Sequence, residues 1–208
     1  MRSEKSPDGQ RTFVDAARRA QLVRCTVEAI AEVGMRKASL AEIARRAGIT
    51  KGAIFYHFAN REELVNEVLV TLLTEGARYM GERIAEQADP AAELRAYLES
   101  NIDYIATHRA EVAALVAIAM NHTDERGGAR EVDASVYGES LRPLEDILRR
   151  GQEQGLFCAF DTRTTAMTIR AAIDAIGPQL SAIPDLDLDR YTTELVALFD
   201  RATKRVPA

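Results

Sequence analysis

The chain has 208 residues, enough for one sizeable domain or for a small domain joined to a larger one. Its 47% hydrophobic content excludes disorder along the whole length, and its longest apolar run, the nine residues Val112 to Met120, is far below the roughly 18 of a membrane span. The net charge of −5 hides an asymmetry, because residues 1–65 carry 12 Lys+Arg against 8 Asp+Glu while the remainder carries 15 against 24.

Residues 1–10 read as a flexible polar arm, without the apolar stretch of a secretory signal. From Phe13 to Val33 the pattern is helical, with Leu22, Cys25, Thr26, Ala29, Ile30 and Val33 recurring at three and four and Gly34 in position to end the helix. Ser39-Leu-Ala-Glu42 has the form of a capping box, Ser39 accepting from the Glu42 amide and Glu42 reaching back to the Ser39 amide. The helix it opens buries Leu40, Ile43, Ala44 and Ala47 and stops at Gly48. Thr50 caps a further short helix with Ile54 and Phe58 facing inward, and Asn60-Arg-Glu-Glu63 opens a long helix to about Ala85. Asp89-Pro90 begins a fresh start, and helices follow over 91–107, 109–121, 131–154, 162–181 and 187–203, broken at Gly127-Gly128, Gly155 and around Pro184. With no strand alternation and no repeat, the fold class is all-α, with about nine helices.

Residues 39–58 form two short helices around a tight turn containing Gly48, the helix-turn-helix layout. The inner faces are apolar through Ile43, Ala44, Ile49, Ile54 and Phe58, and the outer face of the second helix offers Thr50, Lys51, Gly52 and Ala53 to a major groove. Arg36, Lys37, Arg45, Arg46, Lys51 and Arg61 surround it, and basic groups around a short helix attract phosphate. A helical hairpin inside an ordinary core satisfies the same spacing.

The longer string from Arg18 to Leu69, with SLAEIARRAGITKGAIFYHF followed by NREEL, resembles the DNA-binding domain of the TetR family of transcriptional regulators. The resemblance covers roughly residues 18–68. It implies a three-helix DNA-binding domain over 11–60, with a larger helical ligand-binding and dimerisation domain over 61–208. It also implies a homodimer on a double-stranded, palindromic DNA operator, released by a small-molecule effector, most simply as a repressor. Thr50, Lys51, Gly52 and Ala53 would face base edges, Phe55 would lie against thymine methyls, Tyr56 and His57 would approach the backbone, and Arg61 would clamp a phosphate. Ser39 and Arg45 join the DNA-facing set, Arg45 as general positive field. Members more often carry Thr or Ser where this chain has Ala53, and Tyr where it has Phe55, so two hydroxyls are missing. A core position for Phe55 and a structural role for His57 stay open.

For the later helices the resemblance implies a dimer seam and a pocket. Ile169, Ala172, Ile173, Ile176 and Leu180 form one apolar stripe, and Leu195, Leu198 and Phe199 another. Two such helices can pair with their own copies in a four-helix bundle, or pack within the chain. Tyr97, Asn101, Tyr104 and His108 stand on one face of a helix and offer apolar walls with polar tips. Met120, Tyr137 and Met167 would add adaptable surface, and Arg170 with Asp174, four apart, is either a buried polar pair or a ligand anchor. These residues point to a mostly apolar effector with one or two hydrogen-bonding groups.

No Gly-rich phosphate loop, GxSxG or HExxH is present, and His57, His108 and His122 lack metal-ligand spacing. Two cysteines, Cys25 and Cys158, make neither a disulfide framework nor a four-ligand zinc site. The expectation is therefore a cytoplasmic protein that is no enzyme, with no cofactor, no metal and no membrane partner. The alternative from another class is a helical small-molecule carrier or protein-interaction module that does not read DNA, and the basic N-terminal third argues against it.

Overall fold

The computed structural model describes residues 7–121, 134–183 and 185–205, with the side chains of 7–13, 134–140 and 181 outside that description. Residues 1–6 of the expected arm, His122, the break at Gly127-Gly128 and Pro184 also lie outside it. The described residues form ten helices. They are α1 Pro7–Val33, α2 Leu40–Ala47, α3 Lys51–Ile54, α4 Arg61–Ala85, α5 Pro90–Thr107, α6 Arg109–Met120, α7 Ala134–Glu153, α8 Thr162–Asp174, α9 Ile176–Ala182 and α10 Leu188–Thr203. The only strand-like pairing among them is a bridge between Phe157 and Lys204.

The caps carry most of the boundaries. Ser39, Thr50, Asp89, Asp161 and Asp187 each accept from a backbone N–H of the helix that follows. Asn60 Oδ1 accepts from the Glu63 amide at 2.8 Å while Glu63 accepts from the Ala59 amide at 2.6 Å, which starts α4. Gly48, at φ 66°, ends α2 in the left-handed region and turns the chain toward α3; open space surrounds its missing Cβ, so backbone conformation alone demands glycine. Two helices depart from the sequence reading. α1 begins at Pro7, ahead of Phe13, since proline suits a first helical position. The single helix expected over 162–181 is two, because Pro178 has no N–H and its ring crowds the carbonyl of Asp174 four residues back, and the chain bends at Ala175.

The chain divides into two compact units. The first holds α1–α3, α4 up to Thr74 and α6 from Ala110. Its core gathers Leu22, Ile30, Ile43, Ile54, Phe58, Leu64, Val68, Ala114 and Ile118. The start of α4 thus belongs to this core, and the compact unit runs past residue 60. The second unit holds the rest of α4, α5 and α7–α10. There α5 is central, packed against α7, α8, α9 and α10. Leu94, Leu98 and Ile102 of α5 meet an interior that also takes in Leu141, Leu144, Leu148, Ile169 and Ile173.

Candidate functional site

In the first unit, apolar inner faces seat α2 on α1 and α3 on α2. Ile43 and Ile54 are fully buried, with Phe58 beneath them, and this leaves the opposite side of α3 free. Thr50 Oγ1 accepts from the Ala53 amide at 3.2 Å and fixes the entry to α3. Thr50, Lys51 and Gly52 are exposed and Ala53 is half-buried. Phe55 is 49% exposed and Tyr56 88%, so two aromatic rings stand on the surface at the end of this helix. An apolar ring in water has no stability reason to be there, and the core position left open for Phe55 is excluded. Ser39 is exposed, its hydroxyl accepting from the Glu42 amide at 3.3 Å.

Two charged residues act differently from the sequence reading. Arg61 does not project outward; Nη2 donates to the Met35 carbonyl at 2.6 Å, and Nε and Nη2 donate to the Ala38 carbonyl at 3.4 Å. It ties down the turn between α1 and α2, whose carbonyls lack partners within a helix. Glu42 does not complete a capping box either, because the Ser39 amide donates to the Lys37 carbonyl. Its carboxylate instead takes two bonds from Arg45, at 2.7 and 2.8 Å, and one from Arg46 at 2.7 Å, while Arg46 also reaches Glu32. Arg45 is 69% exposed and keeps its charge at the surface, partly neutralised by Glu42. His57 is half-buried, with Nδ1 2.6 Å from the Asp15 carboxylate, which gives it a structural partner on α1. Sequence reasoning missed Arg19. Its guanidinium donates to the His57 carbonyl and to Glu67 at 3.1 Å, and lies 4.2 Å from the centre of the Phe58 ring. One side chain of α1 thereby fixes the end of the α3 segment and the first turns of α4; no helical periodicity marks such a residue.

The bonds from Arg45, then Arg46, hold the Glu42 carboxyl down from its ordinary 4.5 to about 2. A depressed folded value means that the ion pairs add stability above about pH 4.5 and lose it as the pH falls toward 2. Thermal melts across that window should therefore fall more steeply for the wild type than for Glu42→Gln. Parallel curves would show that this network plays no part in acid unfolding.

In the second unit the stripe on α5 splits into two groups. Tyr97 and Asn101 are buried and converge on Arg170 of α8, whose Nη1 donates to Asn101 Oδ1 at 3.0 Å and to the Tyr97 hydroxyl at 3.3 Å. Nε of Arg170 donates to Asp174 at 2.9 Å. Burial works against the Arg170 charge, yet the contacts with Tyr97 and Asp174 outweigh it, and its pKa stands above the ordinary value. Tyr104 and His108 join a different group. Their rings stack at 4.2 Å, and Tyr79 of α4 meets both edge-on at 5.3 and 5.4 Å. The Tyr79 hydroxyl donates to the Asp103 carboxylate, which together with burial pushes the phenol pKa up. The Arg83 guanidinium lies 3.5 Å from the Tyr79 ring centre and covers one face of it. Gly76 faces the Tyr104 ring, and a Cβ there would meet its tip at an ordinary contact distance of 3.6 Å.

Met120, 75% exposed, belongs to the first unit, and Met167 is 44% exposed; neither lines an interior wall. Tyr137 lies on α7 at a position whose side chain is outside the description. The proposed dimer stripes also need correction. Ile169, Ile173 and Ile176 are fully buried within the chain, as are nearly all of Leu195 and Phe199, because α8, α9 and α10 pack on α5. Ala172 and Leu180 are half-buried. Of the eight residues expected at a seam, Leu198 alone is a large exposed side chain, at 51%.

Residues 22–68 match the model of the bacterial regulatory proteins of the tetR family. The chain is 38% identical over 92 residues to the HTH-type transcriptional regulator BetI of Yersinia pestis, a match covering 41% of this chain and 44% of that protein. The matched region therefore spans less than half the length of this curated relative. Among solved structures, a transcriptional regulator from Saccharomonospora viridis in complex with choline superposes with a TM-score of 0.80 at 20% identity, over 92% of this chain and all of that one. AibR in complex with isovaleryl coenzyme A and operator DNA gives 0.72 at 20% identity, over 87% and 97%. Among the described residues, no helix is long and apolar enough to cross a membrane.

Proposed function

We propose that this chain is a ligand-responsive DNA-binding transcriptional regulator of the TetR type acting as a repressor, a reading supported by the match of its N-terminal helix-turn-helix to that family's model over residues 22–68. Residues 11–60 read the operator, and 61–208 hold the effector and the partner subunit. The observation that carries this reading is the α3 surface, where exposed Thr50, Lys51, Gly52, Phe55 and Tyr56 stand on a short helix fixed from below by Ile54 and Phe58. Lys51 and Thr50 supply donors to base edges, Phe55 an apolar face for thymine methyls, and Tyr56 a hydroxyl to a phosphate. Ser39 and Arg45 add backbone contacts. Arg61 and His57 act through the first unit's own frame and position the reading helix.

The chain works as a homodimer in the cytoplasm and performs no catalysis. The effector is a small organic molecule held in the second unit around Tyr97, Asn101, Tyr104, His108 and Arg170, in line with relatives of the same fold that carry choline or isovaleryl coenzyme A. Binding that favours one arrangement of the two reading heads by about 1–3 kcal/mol gives a useful response. Selection of bound duplexes from random DNA tests the proposal. The recovered site should be an inverted repeat with half-site centres about 34–36 Å apart or a multiple of that. A selected motif without dyad symmetry rejects the two-headed reader, and no enrichment rejects the regulator.

A further inference from the structure

We propose that the Nε–Nη2 edge of Arg170 is a recognition fork for a small-molecule carboxylate, and that Asp174 holds the fork until the ligand displaces it. This deepens, and rests on, the reading of the second unit as the effector site. Three features of the geometry carry it. First, the guanidinium plane is set from α5. Nη1 donates to Asn101 Oδ1 at 3.0 Å and to the Tyr97 hydroxyl at 3.3 Å, and the Asn101 amide is itself oriented by donating to the Tyr97 carbonyl at 2.8 Å. Tyr97 and Asn101 are 8% and 4% exposed, so this support is rigid and the remaining edge of Arg170 has one direction to face.

Second, that edge is poorly matched by its resident partner. Nε donates to Asp174 Oδ1 at 2.9 Å, and Nη2 lies 2.8 Å from the same oxygen. A guanidinium edge presents two parallel N–H groups, and a free carboxylate meets them with two oxygens, one bond each. Asp174 is tethered four residues away on the same helix and brings one oxygen to both donors.

Third, Asp174 can leave without being stranded in the core. Its side chain is 58% exposed, so once displaced it is solvated by water and not stranded in the core, whereas the Arg170 side chain is only 20% exposed and would be costly without an anion. An incoming carboxylate therefore exchanges a pairing through one oxygen for a two-oxygen one and moves a single surface side chain. Asp174 acts as an internal competitor, which sets the threshold for the ligand and selects against neutral and cationic molecules.

The test uses the full-length protein and calorimetric titration with straight-chain carboxylates from acetate to decanoate, beside alcohols and alkylamines of the same lengths. Carboxylates should bind where their alcohols and amines do not. Asp174→Ala, at an exposed position, should tighten carboxylate binding by roughly tenfold, the scale of one added charge-assisted hydrogen bond. Arg170→Lys keeps the charge but has no fork, and should weaken binding by at least about tenfold. If that variant fails to fold, the Asp174→Ala result still decides. No binding across the carboxylate series, equal binding of the alcohols or amines, or an Asp174→Ala affinity that is unchanged or weaker overturns the proposal. Retention of the same samples on duplex DNA separates the two readings. DNA binding lost with carboxylate binding intact rejects the regulator, and the reverse outcome rejects only the fork.

Discussion

Ile173→Glu is expected to unfold the second compact unit and not merely to separate subunits. Ile173 is fully buried inside its own chain, on α8, which packs against α7 and α5. The substitution removes a buried aliphatic side chain and leaves an unpaired carboxylate in its place, at a cost of more than about 4 kcal/mol. That is a large share of the roughly 5–15 kcal/mol that holds a whole domain together. Far-UV circular dichroism should show reduced helicity or a melting point far below the wild type's. Leu198→Glu is the contrasting variant, because Leu198 is half-exposed on α10 with its neighbours Leu195 and Phe199 turned inward. Its fold should survive, and light scattering should report a monomer if the outer face of α10 is the seam. A folded, dimeric Leu198→Glu protein would move the seam elsewhere, and a well-folded Ile173→Glu protein would mean that the α8 stripe is not core.

The dimer stripes show where periodicity runs out. Ile169, Ile173 and Ile176 recur at a helical spacing because one face is dry, and a dry face looks the same whether α5 or a second subunit covers it. What separates the two cases is which neighbours the fold supplies, and those lie some 70 residues away, since Arg170 meets Tyr97 and Asn101 across that distance. Local signals fared better. The caps at Ser39, Thr50 and Asn60 and the turn at Gly48 are decided within four residues, and the helix-turn-helix follows from them. Glu42 is an instructive intermediate. Its spacing from Ser39 fits a capping box, but two arginines three and four residues further on offer charge-assisted bonds that outcompete a neutral amide. The polar stripe on α5 was legible as a stripe, whereas its division into an Arg170 cluster and a Tyr79–Tyr104–His108 cluster depends on side chains from α8 and α4. Arg19 and Tyr79 carried no pattern at all, since each works through long-range contacts.

Lys51 and Arg61, both basic and both near the reading helix, are expected to fail in opposite ways. Lys51 is exposed at the first turn of α3 and makes no ion pair among the described residues. Lys51→Ala should leave the melting temperature unchanged, cost about 1–3 kcal/mol of binding to the selected duplex, and relax preference at one base position. Arg61 spends its donors on the Met35 and Ala38 carbonyls, between α1 and α2. Bonds from a charged donor to such carbonyls are worth roughly 1.5–3 kcal/mol, so Arg61→Ala should lower stability by an amount of that order. Its effect on DNA should come through a looser frame, weakening all sequences alike while the slope of affinity against salt stays the same, because no phosphate loses a counter-charge. The two variants are compared by thermal melting and by salt-dependent titration of a fluorescent duplex, well below either melting point. An Arg61→Ala protein with unchanged melting temperature and a salt slope reduced by about one would return Arg61 to the phosphate-clamping role that the resemblance implies. A Lys51→Ala protein with undiminished affinity would show that the reading edge lies just past α3, at Phe55 and Tyr56.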